Sequence, residues 1–438
     1  MASRRRGARR CAMSTEPSGC PMKGLADYSL LDANLLASPW DFYAKLHAES
    51  PVYQMPETGI YVITRYDDIL KVIRDPVTYS NVILAMEALQ GEGGRRYQEM
   101  LREKGWAHVH VLHRADPPKH VAHRKLVDRV FTAQRVRALV PQVDALAHTL
   151  IDQFIERGEC DLIKDFALPL PGMILGEQLG LDRNEFARFQ GWALAMLSTS
   201  NEIMDEQRLR EVADIELDAQ HYLAAIFESR QQNPTGDLIS DLVHAAGDGE
   251  EPFTMHELQN LLNQLITGGY ETTTSAITHG LWLLMTHPEQ YAKLRENPAL
   301  LRRFVEEVLR IESPVQGIMR SVTKDTELSG TPIPAGATLI LRYGAANQDP
   351  EKFPNPRTFD IERTNAGSHL AFGAGIHACL GQQLAKQEIY SGIQALLERM
   401  ENFELTRALP DPAYVYSLNF RPLKEFPIRF TRRAKPAG

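Results

Sequence analysis

The chain has 438 residues, 43% hydrophobic, 24% charged and 8% aromatic, with a formal net charge of −8. This is ordinary soluble globular composition with length for a large core, and the acidic balance argues against a nucleic-acid partner. No apolar run approaches the roughly 18 to 20 residues of a membrane span; the best, 276–285, is interrupted by Thr278 and His279 and stopped by Pro288.

The basic start, Arg4-Arg5-Arg6 to Arg9-Arg10, lacks the apolar core of a secretory signal. Residues 1–25 read as a flexible arm with Met13 a candidate start; a twin-arginine signal or transit peptide is the alternative. Cys11, Cys20, Cys160 and Cys379 form no CxxC pair and no even framework, so a reducing cytoplasm is the default. Val52–Gln54 and Ile60–Ile63 flank Pro56-Glu57-Thr58-Gly59 and predict a β-hairpin. Asp67 is expected to cap a short helix ending near Pro76. Residues 80–110 show no clean periodicity and read as a long irregular segment, of the kind used for binding loops and lids.

Helical patterns dominate from Asp116-Pro117-Pro118 to Ile311. His120 and Arg124 share a helix face at i,i+4; with Arg320 and His377 they are cations able to meet a carboxylate-bearing ligand, although each alone reads as a surface cation. Thr254-Met255-His256-Glu257 is a capping box, with Phe253 and Leu258 a candidate staple, and it opens a helix predicted to reach about Thr286. Inside that helix lies Gln264-Leu265-Ile266-Thr267-Gly268-Gly269-Tyr270-Glu271-Thr272. Two glycines weaken a helix by about 1 kcal/mol each. Small residues let a flat ligand or O2 approach the backbone, and a threonine hydroxyl can bond a carbonyl one turn back. Glu271 and Thr272 then form an acid–alcohol pair suited to proton delivery. The plainer reading is a close helix–helix contact with Glu271 in solvent.

A shorter helix, about Pro298–Ile311, carries Glu307 and Arg310 three residues apart on one face. Strand-like pieces follow at 326–341 and again between Phe403 and Phe430. Between them Phe372-Gly373-Ala374-Gly375-Ile376-His377-Ala378-Cys379-Leu380-Gly381 runs into a helix predicted over Gln382–Met400. Backbone N–H groups at that helix start favour negative charge, so a depressed thiol pKa is expected for Cys379, as for a metal-bound thiolate. A buried structural cysteine is the bland alternative. The layout is mainly α with a minor β portion (α+β), and segments from both ends interleave, which argues for one domain over 26–432 with a short tail, 433–438.

Together these segments resemble the cytochrome P-450 superfamily of haem-thiolate monooxygenases, in its soluble bacterial form, from about Asp32 to Thr431. The Phe-Gly-x-Gly-x-His-x-Cys-x-Gly loop is the most specific part, joined by the Gly-Gly-x-Glu-Thr helix and the ExxR helix in the proper order. The resemblance implies haem b between the long central helix and the cysteine-loop helix. Cys379 is then the iron ligand, with Phe372 beside it. His120, Arg124, Arg320 and His377 hold the propionates, Gly268 and Gly269 border the O2 pocket, and Glu271 and Thr272 manage protons. Glu307 and Arg310 form a structural ion pair. The family layout draws the substrate pocket from Gln264, Thr267, Gln316, Ile318 and Leu418. The reaction implied converts RH, O2, two electrons and two protons to ROH and water. The sequence carries no flavin or iron–sulfur motif, so a ferredoxin with its reductase is the expected electron source, docking near Arg124, Arg129 and Lys386. A small, mainly hydrophobic substrate, a monomer and no membrane are expected.

Two positions depart from the family. Tyr270 stands where histidine is frequent, and Thr358 stands where arginine often precedes Phe359, with Arg357 one residue earlier, leaving the third member of the Glu307–Arg310 network open. A peroxide-driven peroxygenase is the nearest alternative, disfavoured by the Glu271-Thr272 pair. A haem-based gas or redox sensor is the alternative from another class. A zinc site lacks ligands at finger-like spacing, and no base marks a cysteine protease.

Overall fold

The computed structural model describes residues 24–83, 91–201, 204–411 and 413–433. The predicted arm lies almost wholly outside this set, as do Cys11 and Cys20. The organising element is the central helix Met255–Thr286, and the predicted capping box is formed at its start: Thr254 Oγ1 accepts from the Glu257 N–H and Glu257 accepts from the Thr254 N–H. Phe253 and Leu258 are buried in one cluster. The Gly268-Gly269 pair costs this helix about 2 kcal/mol. Leu261, Leu262, Ile266, Ile277 and Leu281 are fully buried along it, each contributing about 1.5–3 kcal/mol. Burial therefore outweighs the glycines, and the helix runs unbroken through them.

Two apolar cores grip this helix at different heights. Residues from Leu258 to Tyr270 pack with the helices Phe186–Asn201 and Glu206–Gln232; residues from Ala276 to Leu284 pack with Leu301–Glu312 and the cysteine-loop helix Gln382–Arg399. Gly268 and Gly269 are exposed although the turns around them are buried. The helix thus presents an unpacked face at the height of its glycines.

The minor β portion does come from both ends of the chain. Strands β1 (Val52–Gln54), β2 (Tyr61–Ile63), β3 (Tyr79–Ser80), β5 (Ile318–Val322) and β8 (Thr338–Leu341) form one sheet in the order β1-β2-β8-β5-β3, parallel only between β2 and β8. The predicted hairpin is its edge. Strands β4 (Glu159–Asp161), β10 (Pro427–Arg432) and β9 (Met400–Leu405) form a second sheet. Between β6 (Thr326–Leu328) and β7 (Thr331–Ile333), Ser329 and Gly330 both take positive φ, 46° and 78°, as a two-residue hairpin turn requires.

Several expectations need correction. The segment 80–110 contains a helix, Gly91–Lys104, whose Tyr97 and Leu101 are buried one turn apart against Val212, Ala213 and Leu217; packing overrides a glycine-rich sequence. The helix Tyr66–Arg74 is capped at Arg65, and Asp67 sits in its first turn, where a carboxylate favours the dipole. Pro288 starts a helix, Pro288–Glu296, rather than only ending one. The ExxR helix begins at Leu301, after a 3-10 turn at Pro298–Leu300. Arg433, assigned to the tail, is anchored to Leu397 and Arg399 carbonyls. Among the described residues no helix is long and apolar enough to cross a membrane.

Candidate active site

The cysteine loop folds on two left-handed glycines, Gly373 at φ 63° and Gly375 at φ 68°. At Gly375 a Cβ would stand 2.8 Å from the Ile73 carbonyl oxygen, so no other residue fits without movement. The Cys379 N–H donates to the Phe372 carbonyl at 2.9 Å and closes the loop. Gly381 and Gln382 N–H groups at the helix start bond the thiol. Their pull and the Arg124 charge are nevertheless outweighed, because withdrawal from water pushes the thiol pKa up, against the sequence expectation. A cation bound at the sulfur reverses that balance. Phe372 packs on the main core with Lys386 Nζ 5.4 Å from its ring centre.

Cys379 is accessible and yet desolvated, a combination that marks the wall of an internal hollow. The same holds for His113. On the central helix a Cβ on Gly268 would meet nothing within 4 Å. Gln264, one turn before Gly268, donates to the Val111 carbonyl at 2.9 Å, and its Oε1 accepts from the His113 N–H at 3.4 Å. The hollow is therefore bounded by the central helix, the cysteine loop and the Leu112–Arg114 turn.

At one end of it the predicted cations converge. The His120 and His377 rings lie 4.0 Å apart, and none of their four buried nitrogens has a hydrogen-bond partner among the described residues. Arg320 is buried; it donates to its neighbour's carbonyl, Met319, at 2.7 Å and meets the Tyr343 hydroxyl. Burial, His120, Arg320, His113 and Arg124 together push His377 down to about 3; burial and the nearby arginines do the same to His113. Arg124 itself donates to the Ala378 carbonyl at 2.7 Å, beside the thiol. Partnerless imidazoles beside the Arg320 and Arg124 guanidiniums fit a ligand carrying carboxylates, as haem does with its propionates.

Below the loop the ExxR pair is fully buried. Arg310 Nε and Nη2 donate to the two Glu307 oxygens at 2.7 Å each, and Nη1 reaches the carbonyls of Asn347 and Pro356. The third member is Arg363, which donates to Glu307 at 3.1 Å; Arg357 instead lies over Trp40. Glu306, next along, bonds Lys386 and His369 and ties this helix to the cysteine loop.

On the central helix Thr272 Oγ1 donates to the Gly268 carbonyl at 2.7 Å, as predicted, and Thr267 does likewise to Asn263. Glu271 is half-buried beside it. Tyr270 is a packing residue: it is buried against Gly172, with Phe189 edge-on at 6.3 Å. Of the pocket residues drawn from the family layout, Gln316 is a correction. It is buried with its amide spent on Tyr43 and on the Glu312 and Ser313 carbonyls, which makes it a brace and not a substrate contact. Ile318 and Leu418 are half-buried on the edges of two other apolar clusters, and Gln264 is a loop clamp. The docking cations are also engaged: Arg124 with Asp128, Arg129 with Glu250, and Lys386 with Glu306.

One further buried acid went unnoticed in the sequence. Burial pushes the Glu388 carboxyl up to about 8, and Thr273 offsets this only in part, its hydroxyl making no hydrogen bond of good geometry. The folded protein then keeps a proton that the unfolded chain releases, so stability is lost as pH climbs from the ordinary carboxyl value toward about 8. Glu388→Gln is expected to match the wild type in urea midpoint near pH 5 and to exceed it near about pH 8.5. Equal midpoints at both pH values would remove the buried charge from the account.

The Cytochrome P450 family model matches residues 64–411. Cytochrome P450 monooxygenase PikC of Streptomyces venezuelae is 34% identical over 418 residues, covering 94% of this chain and 95% of that protein. The 6-deoxyerythronolide B hydroxylase of Saccharopolyspora erythraea is 32% identical over 396 residues, covering 88% and 95%. The structure of cytochrome P450 CYP109Q5 from Chondromyces apiculatus superposes with a TM-score of 0.80 at 30% identity, covering 94% of this chain and all of that one. With an accessible thiol in its glycine loop, an open glycine face on the central helix and a buried ExxR pair, this chain belongs to the cytochrome P450 family of monooxygenases, which carry haem b on a cysteine thiolate.

Proposed function

We propose that the protein hydroxylates a small, mainly hydrophobic organic substrate as a cytoplasmic monomer, with electrons from a separate ferredoxin and its reductase. The observation that carries the reading is the pairing of an accessible, desolvated Cys379 with the partnerless His120–His377 pair at the edge of the same hollow. Haem b, when bound through Cys379, supplies the activation of O2 and the oxygen insertion. The remaining work belongs to the chain. His120, His377, Arg320 and Arg124 fix the two propionates, Gly268 and Gly269 leave room beside the helix, and the surrounding apolar walls exclude water. Thr272 holds its proton against the Gly268 carbonyl, and Glu271 passes protons inward from solvent to replace it.

Turnover by the purified holoenzyme with ferredoxin, reductase and O2 tests this reading. Product formation driven equally well by hydrogen peroxide alone would favour the peroxygenase alternative. Thr272→Ala is expected to keep haem and substrate binding while the product formed per reducing equivalent falls several-fold and peroxide accumulates. Unchanged coupling would remove Thr272 from the proton route.

A further inference from the structure

Phe372 opens the cysteine loop, and its ring meets two basic side chains from different parts of the chain. Lys386 Nζ lies 5.4 Å from the ring centre, within cation–π range, and the His369 ring lies 5.8 Å away. One carboxylate holds both. Glu306 Oε2 accepts from His369 Nε2 at 3.1 Å, while Lys386 Nζ donates to Oε2 at 3.0 Å and to Oε1 at 2.7 Å. His369 Nδ1 accepts from the Ala371 N–H at 3.2 Å, so the proton of the neutral ring sits on Nε2, facing Glu306. Although burial pushes the Glu306 carboxyl up, the His369 and Lys386 bonds bring it down to about 2, and burial holds His369 below its ordinary value. The cluster is one anion, one cation and a neutral imidazole.

Its place separates this ion pair from the others. The Phe372 carbonyl takes the Cys379 N–H at 2.9 Å, and the Gly373 N–H reaches the Leu370 carbonyl at 2.9 Å, so ring and sulfur belong to one short closed loop. The Glu306 and Lys386 side chains are 26% and 34% exposed, against more than half for both members of Arg429–Glu404, so water screens them less. Without its carboxylate a lysine ammonium extends into solvent; tethered, it stays over Phe372. The two opposite charges largely cancel at a distance. Either one alone would bias the loop electrostatically.

We infer that Glu306 is a positioning residue for the haem site: by holding Lys386 over the Phe372 ring it keeps a balanced charge pair against the cysteine loop, and that balance sets how readily the iron is reduced. The inference rests on the monooxygenase reading and extends its working parts to the helix beneath the loop. Reduction adds one electron at the iron, which a nearby cation favours and a nearby anion opposes.

Wild-type, Lys386→Met, Glu306→Gln and double-variant holoenzymes are titrated against redox dyes with no protein electron partner present, so any docking role of Lys386 is silent. Lys386→Met leaves the Glu306 anion alone, and the ratio of reduced to oxidised haem at the wild-type midpoint is expected to fall about 3- to 10-fold. Glu306→Gln leaves the cation alone, and the ratio should rise by a similar factor. The double variant should return to within about twofold of the wild type. Shifts of the two single variants in the same direction, or a double variant farther from the wild type than either, make the cluster a structural clasp and overturn the inference. Ratios within about 1.5-fold of the wild type in both single variants overturn it as well. If Lys386→Met loses haem on purification, Lys386→Gln keeps a donor to Glu306 with the same loss of charge and the same expected fall; loss of haem from both overturns the charge role. The reduced carbon monoxide spectrum is recorded alongside, and absence of a thiolate-type band in the wild type would overturn the underlying monooxygenase reading separately.

Discussion

Cys379→Ser is expected to yield a folded protein whose reduced carbon monoxide complex lacks the thiolate-type absorption and whose partner-driven turnover falls to background. The loop that carries Cys379 is held by features the substitution leaves alone: Gly373 and Gly375 at positive φ, the Cys379 N–H on the Phe372 carbonyl, and Arg124 on the Ala378 carbonyl. Serine occupies nearly the same volume, so the fold has little reason to change. The ligand chemistry does change. A thiol titrates near 8.5 and is deprotonated outright by a metal, whereas a serine hydroxyl is far less acidic and donates much less electron density to iron than a thiolate does. The N–H groups of Gly381 and Gln382 that bond the sulfur do not compensate, because desolvation outweighs them at this position. Far-ultraviolet circular dichroism and haem content separate the outcomes. A folded variant that retained the thiolate-type band would show that the iron ligand lies elsewhere.

How much of this was legible in the sequence depends on how local each signal is. The cysteine loop, the Gly268-Gly269 interruption and the Glu307–Arg310 spacing are written within a few turns of chain, and the structure forms each element near its predicted bounds. Partners chosen by the return of a distant segment were not legible. Arg363 reaches Glu307 across 56 positions, and nothing in the local sequence distinguishes it from Arg357. His113 lies in a segment without periodicity, so its placement on the hollow follows only from how Gln264 clamps the loop. Gln316 was misassigned because its family position faces the pocket region, while its amide is consumed by Tyr43 and two carbonyls. The thiol pKa failed for a related reason: helix-start donors can be read from sequence, but the extent of desolvation cannot.

Arg310→Met is expected to cost about 3–5 kcal/mol of stability, a large part of the 5–15 kcal/mol that holds a typical domain. Glu307 and Arg310 are both fully buried, so removing the guanidinium leaves a carboxylate in the interior with only Arg363 and the Asp360 N–H to meet it. It also strips the Asn347 and Pro356 carbonyls of their donor. At roughly 2.1 cal/mol/K per residue of unfolding entropy, that loss corresponds to a fall of about 3–5 °C in Tm. The exposed pair Arg429–Glu404 supplies the contrast, since both its side chains are more than half in solvent, and Arg429→Ala is expected to change stability by less than about 0.5 kcal/mol. The double variant Glu307→Gln with Arg310→Met should cost less than the sum of the single ones, because no isolated charge is left behind. The pair has a further consequence for the site. It pins the segment 347–363, which leads into the cysteine loop, to the helix whose Glu306 holds Lys386 and His369. Haem should therefore be released from Arg310→Met at a temperature below that of its helix melting, while in the wild type the two transitions coincide. Coincident transitions in the variant, or a Tm within about 1 °C of the wild type, would reduce the ExxR pair to an incidental contact.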